Sequence, residues 1–136
     1  MLFRSECPQD SSYEALAKMR AAFKKDGVGT AGNASIISDG AAALVIMSEK
    51  KARELGCTIM AEIGAQASFG IDMKYVLMAP IYAIPKVLKK ESLPISDIDL
   101  FEINEAFAGS SSGINKVLEL DPEKVNVNAG CTDGMP

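Results

Sequence analysis

The sequence predicts a layered α/β protein, and three observations carry that expectation. Short apolar runs at 41–47 and 98–103 have the length of strands rather than of helices, and 58–68 alternates loosely. Capped segments with helical periodicity alternate with them, opening near Ser11, Ser48 and Pro80. Residues 106–113 are mostly small and suit a closely packed, buried helix. Strands alternating with helices bury their apolar faces by stacking in layers.

The elements follow in chain order. Residues 1–10 have no clear period and read either as a leader or as a frayed loop. From Ser11, the spacing Ser11-x-x-Glu14 suits a capping box, and Leu16, Met19 and Phe23 recur at helical intervals, with Gly27 as the stop. Residues 30–35 form a small, polar loop in which Gly32 permits close backbone approach. It reads as a turn before a strand or as a loop with a ligand against its main chain. The continuous apolar run 41–47 is the pattern of a strand buried on both faces. Ser48 then caps a short charged helix over 49–55, closed by Gly56.

Residues 58–68 alternate loosely and predict a second buried strand, followed by a loop over 69–79. Pro80 opens a helix that turns Ile84, Val87 and Leu88 inward, with Lys86, Lys89 and Lys90 on a solvated face. Pro85 is out of place there, since proline inside a helix costs about 3 kcal/mol. A strand ending at Ile103, a helix to about Leu120 and a last strand over 124–128 complete the chain. The glycines within 109–113 disfavour that helix by about 1 kcal/mol each relative to alanine, which burial must offset.

Composition narrows the function classes. The 136 residues are 48% hydrophobic and 24% charged, about one domain of ordinary globular composition. A net charge of −4 argues against a nucleic-acid partner, which requires a basic footprint. No apolar run reaches the ~18 residues of a membrane span, so no membrane partner is expected. Cys7, Cys57 and Cys131 show neither metal spacing nor a disulfide framework, and the sequence has no histidine. They read as ordinary thiols in a reduced, cytoplasmic setting, with no metal and no resident cofactor.

The chain is organised around 97–108. A strand delivered straight into a helix would put Asn104 at the helix N-terminus, beside free N–H groups. There Asn104 can cap the helix or hold a water or a developing oxyanion. Glu105 would then sit in the first turn, favoured by the helix dipole.

Asn104-Glu105-Ala106-Phe107-Ala108, preceded by Asp-Ile-Asp-Leu-Phe-Glu, resembles the Asn-Glu-Ala-Phe motif of the thiolases, the acetyl-CoA acetyltransferases. Two further blocks follow the same family in the same order. One is Phe23-Lys24-Lys25-Asp26-Gly27 with 30–35 and 39–43; the other is 121–128. The resemblance implies a thiolase-like layered αβα fold, present in part, with pieces of both duplicated halves. Residues 11–56 would close the first half and 57–130 open the second, leaving 131–136 as a divergent tail.

The family makes or breaks the carbon–carbon bond of 3-oxoacyl-CoA through a cysteine acyl-enzyme, a Claisen condensation and its reversal, in fatty acid metabolism. The resemblance implies coenzyme A thioesters as substrate and homodimers or tetramers as the assembly. It assigns Asn104 the water that helps form an oxyanion hole, and Phe23, Ala31, Ser35 and Phe107 the coenzyme A channel and acyl pocket. Phe23 reads equally as a core anchor. The family's two cysteines would fall outside this segment, and Gly134-Met135-Pro136 stands where the family has Gly-His-Pro. Methionine cannot donate to an oxyanion. The 136-residue chain is therefore expected to be an inactive fragment, or alternatively a non-catalytic acyl-CoA-binding or subunit-interaction module. Three departures from the family sharpen that alternative: Ile36 for the usual glycine, Pro85, and the serines at 110–112.

Overall fold

The computed structural model describes residues 12–35 and 41–128. Its helices are α1 (Tyr13–Ala17), α2 (Glu49–Glu54), α3 (Pro80–Glu91) and α4 (Ala108–Leu118), with 3-10 turns at Met73–Met78, Ile95–Asp97 and Pro122–Lys124. The core sits where α3 and α4 meet the paired segments around Phe101 and Val125. Ile103, Ile114 and Leu120 are buried there, with Met78, Ile81, Ile84 and Ile95 packed against them. The helix after Asn104 is thus an inner one: Ser110, Ser111 and Ile114 are its buried face.

Several expected helices hold, with altered bounds. α2 is capped by Ser48, whose Oγ accepts from the Lys51 amide at 3.3 Å. It is stopped by Gly56 at φ +65°, a left-handed conformation that favours glycine. α3 opens on Pro80, keeps Ile84, Val87 and Leu88 half-buried, and ends at Ser92 in a left-handed cap with φ 58°. It runs directly on from the Met73–Met78 turn, so its first amides need no side-chain cap. Pro85 lies in its second turn on the exposed face, where the ring meets solvent and only one backbone donor is forfeited.

Other expectations are corrected. α1 is capped by Ser12, not by Ser11, which lies outside the described residues, and it ends at Ala17 rather than near Gly27. Five residues cannot carry a helix onward without packing, and α1 buries nothing. Residues 21–30 instead fold back on themselves: Ala21 bridges Thr30 antiparallel, and the Ala22 amide donates to the Gly29 carbonyl at 2.8 Å. The expected loop 69–79 contains a 3-10 helix, capped by Asp72 Oδ1 on the Lys74 amide at 2.8 Å.

The expected strands change most. Among the described residues there are isolated bridges and no regular strand. Residues 41–47 and 58–68 were expected to be buried; Leu44 is instead 86% and Val45 89% exposed. A strand exists only through its ladder partner, and neither segment has one among the described residues. Residues 98–103 and 124–128 do meet, through one parallel bridge between Phe101 and Val125.

Lys89 lies on the expected exposed face of α3, and so do Lys86 and Lys90, which also reach neighbouring backbone. Their Nζ atoms donate to the carbonyls of Ser68 and Gln66 at 2.9 and 2.5 Å, and the Glu91 carboxylate accepts from the Ala65 amide. Side chains of α3 thus hold the backbone of 65–68 where a neighbouring strand would otherwise bond.

Candidate functional site

The stretch expected to run from strand into helix is interrupted. α4 starts at Ala108, with Phe107 extended at φ −146°, ψ 135° as its N-cap residue. Asn104 is therefore not the helix cap, and Glu105 precedes the first turn rather than lying in it. The reason lies in the backbone bonds of 105–108. The Ala106 carbonyl accepts from the Ser35 amide at 3.0 Å, the Ala108 amide donates to the Asn33 carbonyl at 3.0 Å, and Phe107 bridges Ala34 antiparallel. A chain committed to those bonds cannot coil until they end.

The same bonds bring two distant blocks of sequence together. Asn33 organises the loop, its Oδ1 accepting from the Thr30 amide at 2.7 Å and its Nδ2 donating to the Val28 carbonyl at 2.9 Å. Gly32 lets the loop lie close to α1: a Cβ there would come within 2.6 Å of Leu16 Cδ2 and Met19 Sδ, so those side-chain ends would have to shift. Phe23, 69% exposed, meets Phe107 edge to face, with ring centroids 5.5 Å apart and planes at 86°. Such pairs are favoured by the ring quadrupoles. Phe23, Ser35 and Phe107 therefore gather in one place, and Ala31 lies exposed on the adjoining turn.

Asn104 faces elsewhere. It is exposed and lines an open groove of about 620 Å³ together with Glu102 and Ile103. Ala83, Ile84 and Val87 of α3 form the opposite wall, and Ala65 and Ala67 a third side. Ser35 and Phe107 do not line it. Two residues, Glu105 and Ala106, separate Asn104 on the groove from Phe107 in the aromatic cluster.

What the sequence reading missed is Asn126. Its Oδ1 accepts from the Ile103 amide at 2.7 Å, and its Nδ2 donates to the Ile103 carbonyl at 3.0 Å. The signal was present in the type of residue, since asparagine combines a donor and an acceptor on a short arm. Only the fold brings it opposite Ile103. Ile36, Cys7, Cys131 and 134–136 lie outside the described residues; Cys57 is a free, exposed thiol. Among the described residues, no helix is long and apolar enough to cross a membrane.

Comparison with known proteins assigns the two blocks to the two domains of one family. Residues 57–133 match the family model "Thiolase, C-terminal domain" and residues 4–50 match "Thiolase, N-terminal domain". A Staphylococcus aureus protein named "Probable acetyl-CoA acyltransferase" is 48% identical over 122 residues, which are 90% of this chain and 31% of that relative. The chain thus spans about a third of the length of the curated relatives it matches. The crystal structure of a Bacillus anthracis acetyl-CoA acetyltransferase matches with a TM-score of 0.91 at 47% identity, over 98% of this chain and 34% of that one. Human mitochondrial 3-ketoacyl-CoA thiolase, solved also in complex with CoA, matches at 0.89 and 39% identity over 93% and 32% of the two chains. The architecture is accordingly the layered αβα fold of these structures, represented in part.

Proposed function

We propose, for a chain that belongs to the thiolase family, that it forms part of the acyl-CoA site of an acetyl-CoA acyltransferase, which condenses acyl-CoA or thiolytically cleaves 3-oxoacyl-CoA. The observation that carries this reading is the union of the 30–35 loop with 104–107 through the Ser35–Ala106 and Ala34–Phe107 pairings. A pantetheine arm is a slim chain of amides, and a loop of small residues flanked by two aromatic rings suits it. Ala31 and Ser35 offer main chain and a hydroxyl; Phe23 and Phe107 offer apolar walls.

Asn104 supplies the polar part. Both attack on a thioester and enolate formation put negative charge on a carbonyl oxygen. A water fixed by the Asn104 carboxamide donates to that oxygen, and one such donor is worth about 3–4 kcal/mol in the transition state. Its exposure on the groove wall fits a residue that works on a bound molecule rather than on its own backbone. The acyl-carrying thiolate and the proton-transferring groups belong, on the family pattern, outside this segment. The 136-residue chain, which has no histidine, then performs no turnover by itself.

The same reading places the boundary between the two halves at residues 56 and 57, and the family matches extend those halves into 4–10 and 131–133. It also places the protein in the reducing cytoplasm, consistent with the free Cys57, as a dimer or tetramer. A second reading, a non-catalytic acyl-CoA-binding or subunit-interaction module, is favoured by one observation: the exposed apolar side chains of Leu44, Val45 and Ile46.

The deciding experiment grafts residues 12–128 in place of the corresponding third of the S. aureus relative and follows thiolysis of acetoacetyl-CoA. The graft is expected to turn over, and Asn104→Ala to lower kcat by about a hundredfold with little change in KM. Ser35→Ala is expected to weaken coenzyme A affinity chiefly. Coenzyme A binding without turnover in an otherwise folded graft would favour the second reading.

A further inference from the structure

We propose that Asn126 is the positioning residue for Asn104, its side chain fixing the peptide units on both sides of Ile103. This rests on the reading of Asn104 as the residue that presents a water to the thioester oxygen.

The parallel pairing begins in the usual manner. The Phe101 amide donates to the Lys124 carbonyl at 2.8 Å, and the Asn126 amide donates to the Phe101 carbonyl at 2.7 Å. A continuing ladder would next join the Ile103 amide to the carbonyl of residue 126, and the Ile103 carbonyl to the amide of residue 128. Neither bond forms, because the backbone turns left-handed at Asn126, φ 56°. Its carboxamide takes both places: Oδ1 receives the Ile103 amide at 2.7 Å and Nδ2 donates to the Ile103 carbonyl at 3.0 Å. The released Asn128 amide finds the Glu102 carboxylate at 3.1 Å instead.

Only asparagine meets the three demands at once. It tolerates the left-handed region, and its short arm carries an acceptor and a donor side by side. Aspartate has no donor when ionised, and glycine has no side chain. The consequence reaches Asn104 through peptide planarity. The Ile103 carbonyl and the Asn104 amide belong to one rigid plane, so fixing that carbonyl fixes the plane from which Asn104 departs. The Ile103 side chain, 8% exposed, anchors the other side in the core. Asn104 is left with its own soft torsions, on the groove wall.

The test uses nitrogen-15 NMR on the 136-residue chain, with Asn126→Gly, which keeps the left-handed turn, and Asn126→Asp. In Asn126→Gly, amide exchange at Ile103 is expected to quicken about five- to tenfold, with a lower order parameter for the Asn104 carboxamide. Exchange at Ile114, in the core of α4, is expected to change less than about twofold. In Asn126→Asp, Asn104 is expected to be loose at neutral pH. It should recover towards wild type below about pH 3, where the protonated carboxyl can donate to the Ile103 carbonyl. A general structural role would not produce that local recovery. The proposal is overturned if the Asn104 order parameter is the same in all three proteins, or if Ile114 loosens in step with Ile103. Failure of the water-holding reading is seen separately, as an Asn104→Ala graft with unchanged kcat, and leaves the NMR outcome standing.

Discussion

Two apolar runs that look alike in sequence meet opposite fates. Leu100 to Ile103 finds a neighbour in 124–126, and Ile103 is 8% exposed; Leu44 to Met47 finds none among the described residues, and Val45 is 89% exposed. The difference does not lie in hydrophobicity, since Leu44-Val45-Ile46-Met47 is the more apolar of the two. It lies in what is available to pair. The run at 100–103 is served by a segment that α4 and its left-handed stop at Glu119 return alongside it. An apolar pattern therefore specifies a need for burial, while the partner must come from elsewhere in the fold.

The largest expected effect divides the two runs directly. Ile114→Ala in the 136-residue chain removes the most completely buried large side chain among the described residues and should cost about 2–5 kcal/mol. Val45→Ala should change stability by less than about 0.5 kcal/mol, since its side chain leaves water on neither side of the transition. Urea titration of the two variants checks both values. Equal losses would mean that 41–47 is buried in solution after all. In the grafted enzyme, Val45→Ala should become costly, which sharpens the same contrast.

Legibility in the sequence follows the same line. Features settled locally were readable: Ser48 and Gly56 around α2, Pro80 opening α3, and the small, buried helix after Asn104. The layered class was readable from the alternation of elements. Features that depend on a distant partner were not. The early end of α1 reflects a helix with nothing to pack on, and the fold-back of 21–30 depends on the pairing of Ala21 with Thr30. The start of α4 shifted from Asn104 to Ala108 because Ser35 and Asn33 bond the intervening backbone. The proposed site residues come from the motif, yet nothing in the motif tells that Asn104 lines the groove while Phe107 packs on Phe23.

A middle-sized effect is expected at 65–68, which lies between the two extremes: no strand partner, yet held by α3. Replacing Lys90 by methionine keeps the aliphatic stem and removes the donor to the Gln66 carbonyl. One exposed bond of this kind contributes about 1 kcal/mol at most. Lys86→Met/Lys90→Met should therefore leave the urea midpoint nearly unchanged while making 58–69 cleave several times faster in limited proteolysis. If the cleavage rate does not move, the segment is held by something other than these lysines.

The smallest effect expected is at the edge of the structure, in α1. The Glu14 carboxyl is held below its usual range, first by a hydrogen bond from its own backbone amide and then by one from the Ser12 hydroxyl. Ser12 Oγ in turn accepts from the Ala15 amide at 3.2 Å, so the charge and the cap support one another. Because the folded value lies below the unfolded one, the support is present above the ordinary carboxyl range and is lost as pH falls through the lowered folded value. Glu14 is fully exposed, so water and salt screen it, and the global melt should not register the loss. The chemical shifts of Tyr13 to Ala17 should register it, moving towards coil values on acidification with an inflection below that of an unstructured glutamate. Glu14→Gln should abolish that inflection while leaving Ile114 and Ile103 untouched. An inflection shared by the Ile103 amide would join α1 to the core and erase the contrast between held and unheld regions.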